Sequence, residues 1–254
     1  MIVATDFEFM RIVLAAGMLS TASFLDLRRR EVSDLLWIVS GSLAIVVYAL
    51  EYVYGTNFDL LTIVLPITIS VAISFGVYKS GLFGGADALG LVVLAATIPT
   101  FDGRLVDQIL PSHNVFLMHS IAPLIVLSNA VILSLSQIGF NILRNAKYVW
   151  KNPGGLFEGL EHESPSRKII AIAIGYRTNS RPRYAFPIEQ EVAGRRRFSF
   201  SPESAETAEY ESRRNVWVTP GTPFLLFMLA GFIVMLVVGD LSALIFSGVL
   251  SFFG

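Results

Sequence analysis

The sequence predicts an all-α polytopic membrane protein with six transmembrane helices and a small β-containing cytoplasmic insert between helices 5 and 6. Three observations lead there. Apolar and aromatic residues make up 54% of the 254 positions and charged residues only 15%, outside the usual balance of a soluble domain. The apolar residues gather in runs close to the roughly 20 that a helix needs to cross a hydrocarbon core of about 30 Å. The basic residues gather as well, in alternate connections between those runs.

The first span covers 8-26. It opens with Asp6 and Glu8, lacks a basic leading segment, and ends in Asp26 and three arginines, not in a small-residue cleavage site, so it is expected to remain as a helix. The second and third spans cover 34-54 and 58-78. The fourth, 85-101, is short: Asp87 to Phe101 is 15 residues, about 22 Å at 1.5 Å per residue, with Pro99 near its end. Either Asp87 lies recessed below the membrane surface or the loop after Pro99 dips inward. The fifth and sixth spans cover 118-142 and 220-239. Leu241 to Phe253 is too short to cross and lies in the interface or extends the sixth helix.

Orientation follows from the bias of Lys and Arg toward the cytoplasmic side. Connections after the first, third and fifth spans carry Arg28, Arg29 and Arg30, then Lys79, then thirteen basic residues from Arg144 to Arg214. The opposite side carries only Arg11 and Arg104. The bias of 17 to 2 puts the N-terminus and the C-terminus outside, in a multi-pass protein of the cell membrane. It also brings Asp26, at the end of the first helix, and Asp87, at the start of the fourth, to the same cytoplasmic face.

This divides the chain into a membrane part at 1-146, a soluble insert at 147-219, and the sixth helix with its apolar tail at 220-254. Within the insert, Lys168 to Tyr176 is rich in β-branched residues and reads as a strand. Arg183 to Ile188 and Arg195 to Phe200 are weaker strand candidates, with Pro187 arguing for an edge position. The turn at Asn152-Pro153-Gly154-Gly155 and the acidic stretch from Ser201 to Glu211 are its expected borders.

A net charge of -1 gives no case for nucleic acid, and the lack of cysteine removes disulfides, thiolate nucleophiles and cysteine zinc sites together. His113, His119 and His162 are too scattered for a metal site. The informative residues are Asp26 and Asp87, because an acid at the edge of an apolar segment is costly and marks a functional site. Two carboxylates within a few ångströms do not both ionise easily, so the pair titrates as a unit. Its ionised member takes a proton from water while the neutral one donates to a scissile carbonyl. That chemistry calls for neither metal nor cofactor. Gly84 and Gly85 allow a positive φ or a close helix approach beside Asp87. Among the other polar residues, Asp34 is expected to cap the second helix after Ser33, Asp240 to be solvated or a helix-end residue near the outer end of the sixth, and Ser128, Asn129 and Ser134 to bond between helices.

The run Asp26-Leu27-Arg28-Arg29-Arg30-Glu31-Val32-Ser33-Asp34, followed by Gly84-Gly85-Ala86-Asp87, resembles the prepilin peptidase family of GxGD-type membrane aspartyl proteases, above all its archaeal preflagellin (archaellin) branch. The resemblance extends to Trp217-Val218-Thr219-Pro220-Gly221-Thr222-Pro223-Phe224 before the last helix. It implies that Asp26 and Asp87 are the catalytic pair and that Gly84, Gly85 and Ala86 form the supporting motif. Ala86 departs from strict GxGD and fits the broader archaeal pattern. The implied substrate is a membrane-anchored preflagellin or type IV prepilin-like precursor, cut between a short charged leader and a hydrophobic helix at the cytoplasmic face. No cofactor is implied. The basic run Arg28 to Arg30 is already accounted for by the positive-inside rule. An ion-coupled transporter would place acids nearer mid-membrane within broken helices, and a membrane scaffold would work without either acid.

Overall fold

The computed structural model describes residues 2–54, 60–81, 83–103, 120–180, 184–192, 194–200 and 214–253. The chain forms two compact units, one from Met1–Ser134 with Pro223–Gly254 and the other from Leu135–Thr222. The first is helical: α1 (Ile2–Arg29), α2 (Asp34–Val53), α3 (Leu60–Lys79), α4 (Gly85–Thr97), α5 (Ala122–Ser134), and, in chain order after the second unit, α8 (Phe224–Val237) and α9 (Leu241–Phe253). The second contains α6 (Ser136–Lys151), α7 (Pro165–Ile174), β1 (Tyr176–Thr178), β2 (Ala185–Pro187), β3 (Glu189–Val192), β4 (Arg195–Phe198) and β5 (Val216–Pro220).

Among the described residues, four helical stretches are long and apolar enough to cross a membrane: Asp6–Arg29, Asp34–Val53, Leu60–Lys79 and Ala122–Lys151. The fourth and sixth expected spans are shorter. Helices α4 and α8 have 13 and 14 residues and rise only about 20 Å. For α4 the reason is visible in the chain that follows it. Ile98 and Phe101 turn inward and are buried in the helical core, and the Phe101 N–H donates to Ser120 O at 2.8 Å. The fifth span is also cut differently, because Leu135 interrupts the helix between α5 and α6.

Where chains pack in an apolar solvent, small residues let helices approach and polar groups join them. The buried core of the first unit follows that rule, combining Trp37, Leu91, Leu225 and Phe232 with Ala15, Ala22, Ala95 and Ala130. Helices α5 and α8 meet at Gly231, where a Cβ would lie 2.6 Å from Val126 O and 2.8 Å from Ala130 N. Both are backbone atoms and cannot rotate away. Gly231→Ala is therefore expected to lower stability by about 1–3 kcal/mol, whereas Gly17→Ala, with nothing within 4 Å, leaves it unchanged or raised. Thermal unfolding in detergent compares the two.

Asn129 joins the same helices as its position suggested, donating to Gly231 O at 3.2 Å and Gly239 O at 2.9 Å. Of the two expectations for Asp240 the structure shows the helix-end residue and not the solvated one: it is buried and precedes α9, accepting from Ser242 N and Oγ at 2.9 and 2.6 Å. The helix needs a cap where it starts inside the bundle, and Asp240 supplies it. The cap of α2 is likewise not Asp34. Ser33 Oγ accepts from Leu35 N at 3.3 Å, and Asp34 is the exposed first helical residue.

In the second unit β5 is central, with order β1-β5-β2, and all pairs are antiparallel; Arg177 faces Trp217 and Phe186 faces Thr219. Pro187 ends the edge strand β2, where its missing N–H is tolerated. Strands β3 and β4 form a separate hairpin. The Lys168 to Tyr176 strand expectation is overturned, since most of it is α7. Pro165 starts that helix with a suitable φ. Its last carbonyls are then taken by side chains: Ala173 O by Asn141 at 2.9 Å, and Ile174 O by Thr219 at 2.7 Å. Such tertiary bonds outweigh the weak strand preference of four isoleucines. The acidic stretch from Ser201 to Glu211 lies outside the described residues.

Candidate active site

Asp26 lies in the last turn of α1 and Asp87 in the first turn of α4. The chain around Asp26 folds as it does because α1 stops at a left-handed residue: Arg30 has φ 58°, and its N–H still donates to Asp26 O at 3.1 Å. That turn returns the Arg30 guanidinium toward the helix, with Nη1 3.9 Å from Asp26 Oδ1. One turn earlier, Ser23 Oγ donates to Leu225 O at 2.9 Å and ties this end of α1 to the first turn of α8. Ser23 is buried and fixes the height at which Asp26 sits.

Asp87 is held by its own helix start. Gly84 N–H donates to Asp87 Oδ2 at 3.2 Å, and Ala88 N–H donates to Gly84 O at 3.2 Å. Gly84 itself has φ −72°, an ordinary extended conformation; the left-handed turn comes earlier, at Gly81 with φ 72°. The contribution of Gly84 is thus a backbone donor that leads into a helix whose N-terminus favours a negative group. Ala86 is packed against the helical core, and Phe83 lies against Phe224 with ring centroids 4.4 Å apart. Gly90, one turn on, allows close packing: a Cβ there would lie 3.1 Å from Leu225 Cδ2 and 3.3 Å from Trp37.

The two acids thus come from the end of α1 and the start of α4, helices distant in sequence. Asp26 and Arg30 both lie within electrostatic reach of Asp87. Both acids are half-buried, and the Arg30 guanidinium lies 3.9 Å from Asp26. A pair of acids can share a proton and pass it to a bound carbonyl while water is deprotonated. Among the described residues no three His, Cys, Asp or Glu side chains gather as a metal-ligand set. His113 and His119 lie outside the described residues, and His162 is exposed in the second unit. Asp34 is exposed at the start of α2. Sequence reasoning had no signal for Ser23, whose partner is 202 residues away, and treated Arg30 only as part of a charge bias.

A model of the type IV leader peptidase family matches residues 13–138, a segment containing both acids. A second model, the archaeal Peptidase A24 C-terminus Type II, matches residues 168–241, which includes all five strands and the whole of α8. No curated protein matches the chain. Two consecutive family models, in the order expected for one protein and covering most of its length, establish that this chain belongs to the prepilin/preflagellin peptidase family.

Proposed function

We propose that the protein is an aspartic endopeptidase of an archaeal cell membrane, removing the short charged leader from preflagellin or type IV prepilin-like precursors at the cytoplasmic face. Asp26 and Asp87 are its catalytic residues, and Gly84, Gly85 and Ala86 support Asp87. The single observation that carries this reading is the placement of one acid at the end of apolar α1 and another at the start of apolar α4, within electrostatic reach of each other. In the reaction the ionised carboxylate removes a proton from water, and the water oxygen bonds to the scissile carbonyl carbon. The neutral carboxyl donates its proton to the carbonyl oxygen, giving a tetrahedral intermediate. Its collapse breaks the C–N bond as a proton passes to the leaving amine. No acyl-enzyme forms.

In this reading the chain crosses the bilayer six times, with α4 and α8 as the two short crossings, both termini outside and 147-219 as the cytoplasmic insert. A junction between a charged leader and an apolar helix suits acids at a helix boundary, because little of the substrate helix has to unwind. Co-expression with a tagged preflagellin tests the assignment: leader loss is expected as a mobility shift, and its absence with both pilin-like and flagellin-like precursors argues against it.

Arg30 offsets the mutual repulsion of the two acids. Arg30→Gln is expected to lower kcat/KM roughly three- to tenfold, equivalent to about 1 kcal/mol for a partly exposed charge. Arg28→Gln is the control, because the Arg28 guanidinium lies over the Phe24 ring at 4.9 Å. Equal rates for the two variants in a cleavage time course would remove Arg30 from the site.

A further inference from the structure

Helix α6 carries three stripes along its length. Asn141, Asn145 and Tyr148 recur at helical spacing and are buried. Asn141 and Asn145 donate to Ala173 O and Gly175 O, both at 2.9 Å, and the Tyr148 hydroxyl bonds to Asn179 and Asn215. Arg144, Lys147 and Lys151 form a second stripe, with Arg144 stacked over the Tyr176 ring at 4.5 Å. Ile142, Leu143, Val149 and Trp150 form the third. They are exposed, Trp150 to 88%.

This is the reverse of a helix on a water-soluble domain, which turns its apolar side inward and shows its amides to solvent. The neighbouring α7 repeats the pattern, burying Ala171 while Ile169, Ile170 and Ile174 stay exposed. Within the unit Leu135–Thr222 the polar side of α6 is thus spent on holding α7 and β1, and the apolar sides of both helices are left outward. Exposed apolar faces of this kind mark an interaction surface.

We propose that the exposed α6–α7 face is a membrane-binding surface that lies in the interfacial layer of an anionic bilayer, with Trp150 and the isoleucines among the acyl chains and the α6 basic stripe against lipid phosphates. Charge and continuity both select a bilayer over a protein. An apolar stripe with a terminal Trp, flanked by Lys and Arg, is the pattern of an interfacial helix, and the long basic side chains reach headgroups while their stems stay apolar. Helix α6 also continues from α5 after the one residue Leu135, within a stretch apolar enough to cross a membrane. The chain therefore enters α6 already next to lipid. The inference does not depend on the peptidase assignment.

The chain contains no cysteine, so single cysteines carrying a nitroxide label can be placed in the full-length protein without removing any native residue. Labels at Trp150 and Ile169 are compared with one at Ile45, exposed on the apolar α2, and one at Glu191, exposed on β3. The protein is reconstituted in nanodiscs of phosphatidylcholine with phosphatidylglycerol. Collisions with oxygen, which concentrates in hydrocarbon, are measured against collisions with a water-soluble nickel chelate. The expected oxygen-to-nickel ratio at Trp150 and Ile169 is several-fold above that at Glu191 and moves toward that at Ile45. A ratio equal to that at Glu191 places the face in water and overturns the proposal. Exclusion of both reagents shows a protein surface covering it and overturns the proposal equally. The two labels sit on different helices, so a misfolded Trp150→Cys variant leaves Ile169→Cys to decide.

Discussion

Asp87→Asn is expected to abolish leader removal, lowering kcat/KM by about 10³-fold or more, within the range attributed to a positioned acid or base. Asp26→Asn is expected to do the same. Each change keeps the size of the side chain, and an amide oxygen at position 87 still accepts the Gly84 N–H that now lies 3.2 Å from Asp87 Oδ2. The helix start is therefore retained while the ability to ionise is lost. In the proposed mechanism the two acids act as one unit, so the double variant is expected to be no worse than either single one, the non-additivity of groups that serve one step. Asp34→Asn, at the exposed start of α2, should cleave at the wild-type rate. Processing of a tagged precursor, scored alongside expression and detergent-solubilised folding, reads all four. Normal cleavage by the Asp87 and Asp26 variants would remove the aspartic mechanism and leave only the family membership standing.

Trp217→Ala carries the largest expected effect on stability, about 3–5 kcal/mol for deleting a large buried aromatic side chain. Trp217 is fully buried, stacked on Phe157 at 5.4 Å and edge-on to Phe198 at 5.4 Å, in a core completed by Leu160, Ala171 and Ile188. It also sits on the central strand of the three-stranded sheet, so its loss opens a cavity that the edge strands do not close. The indole Nε1 has no hydrogen-bond partner among the described residues. Trp217→Phe consequently loses contact area but no hydrogen bond, and is expected to cost much less, about 1 kcal/mol. Limited proteolysis of the full-length protein measures the difference, with cleavage within Leu135–Thr222 rising sharply for Ala and little for Phe. Equal protection of wild type and Trp217→Ala would show that this core is not what holds the unit together.

Particular elements show what one-dimensional reasoning reaches. Helices α1, α2 and α3 were legible because each is a long apolar run ended by charges or turns, and a membrane solvent makes that pattern nearly sufficient. The expectation that Asp26 and Asp87 share a side rests on crossing number and charge bias, which assign each helix end to a side. The helix α7 was not legible. Its isoleucines favour a strand locally, and the groups that make it a helix end properly are Asn141 and Thr219, 32 and 45 residues from the carbonyls they satisfy. Strand β5 passed unread as a strand, because Val216–Pro220 looked like the approach to a helix and its partners β1 and β2 precede it by about forty and about thirty residues.

The linear pattern by itself determined the apolar solvent of this chain, the order of its long helices and the identity of its two informative acids. These follow from composition and spacing, which act through local length and hydropathy. Tertiary structure alone decided that Ser23 anchors α1 to α8, that Arg30 turns back onto Asp26, and that Asp240 is buried as a cap. Those outcomes depend on which carbonyl, carboxylate or helix end happens to lie opposite a side chain, and that is settled only when distant segments pack.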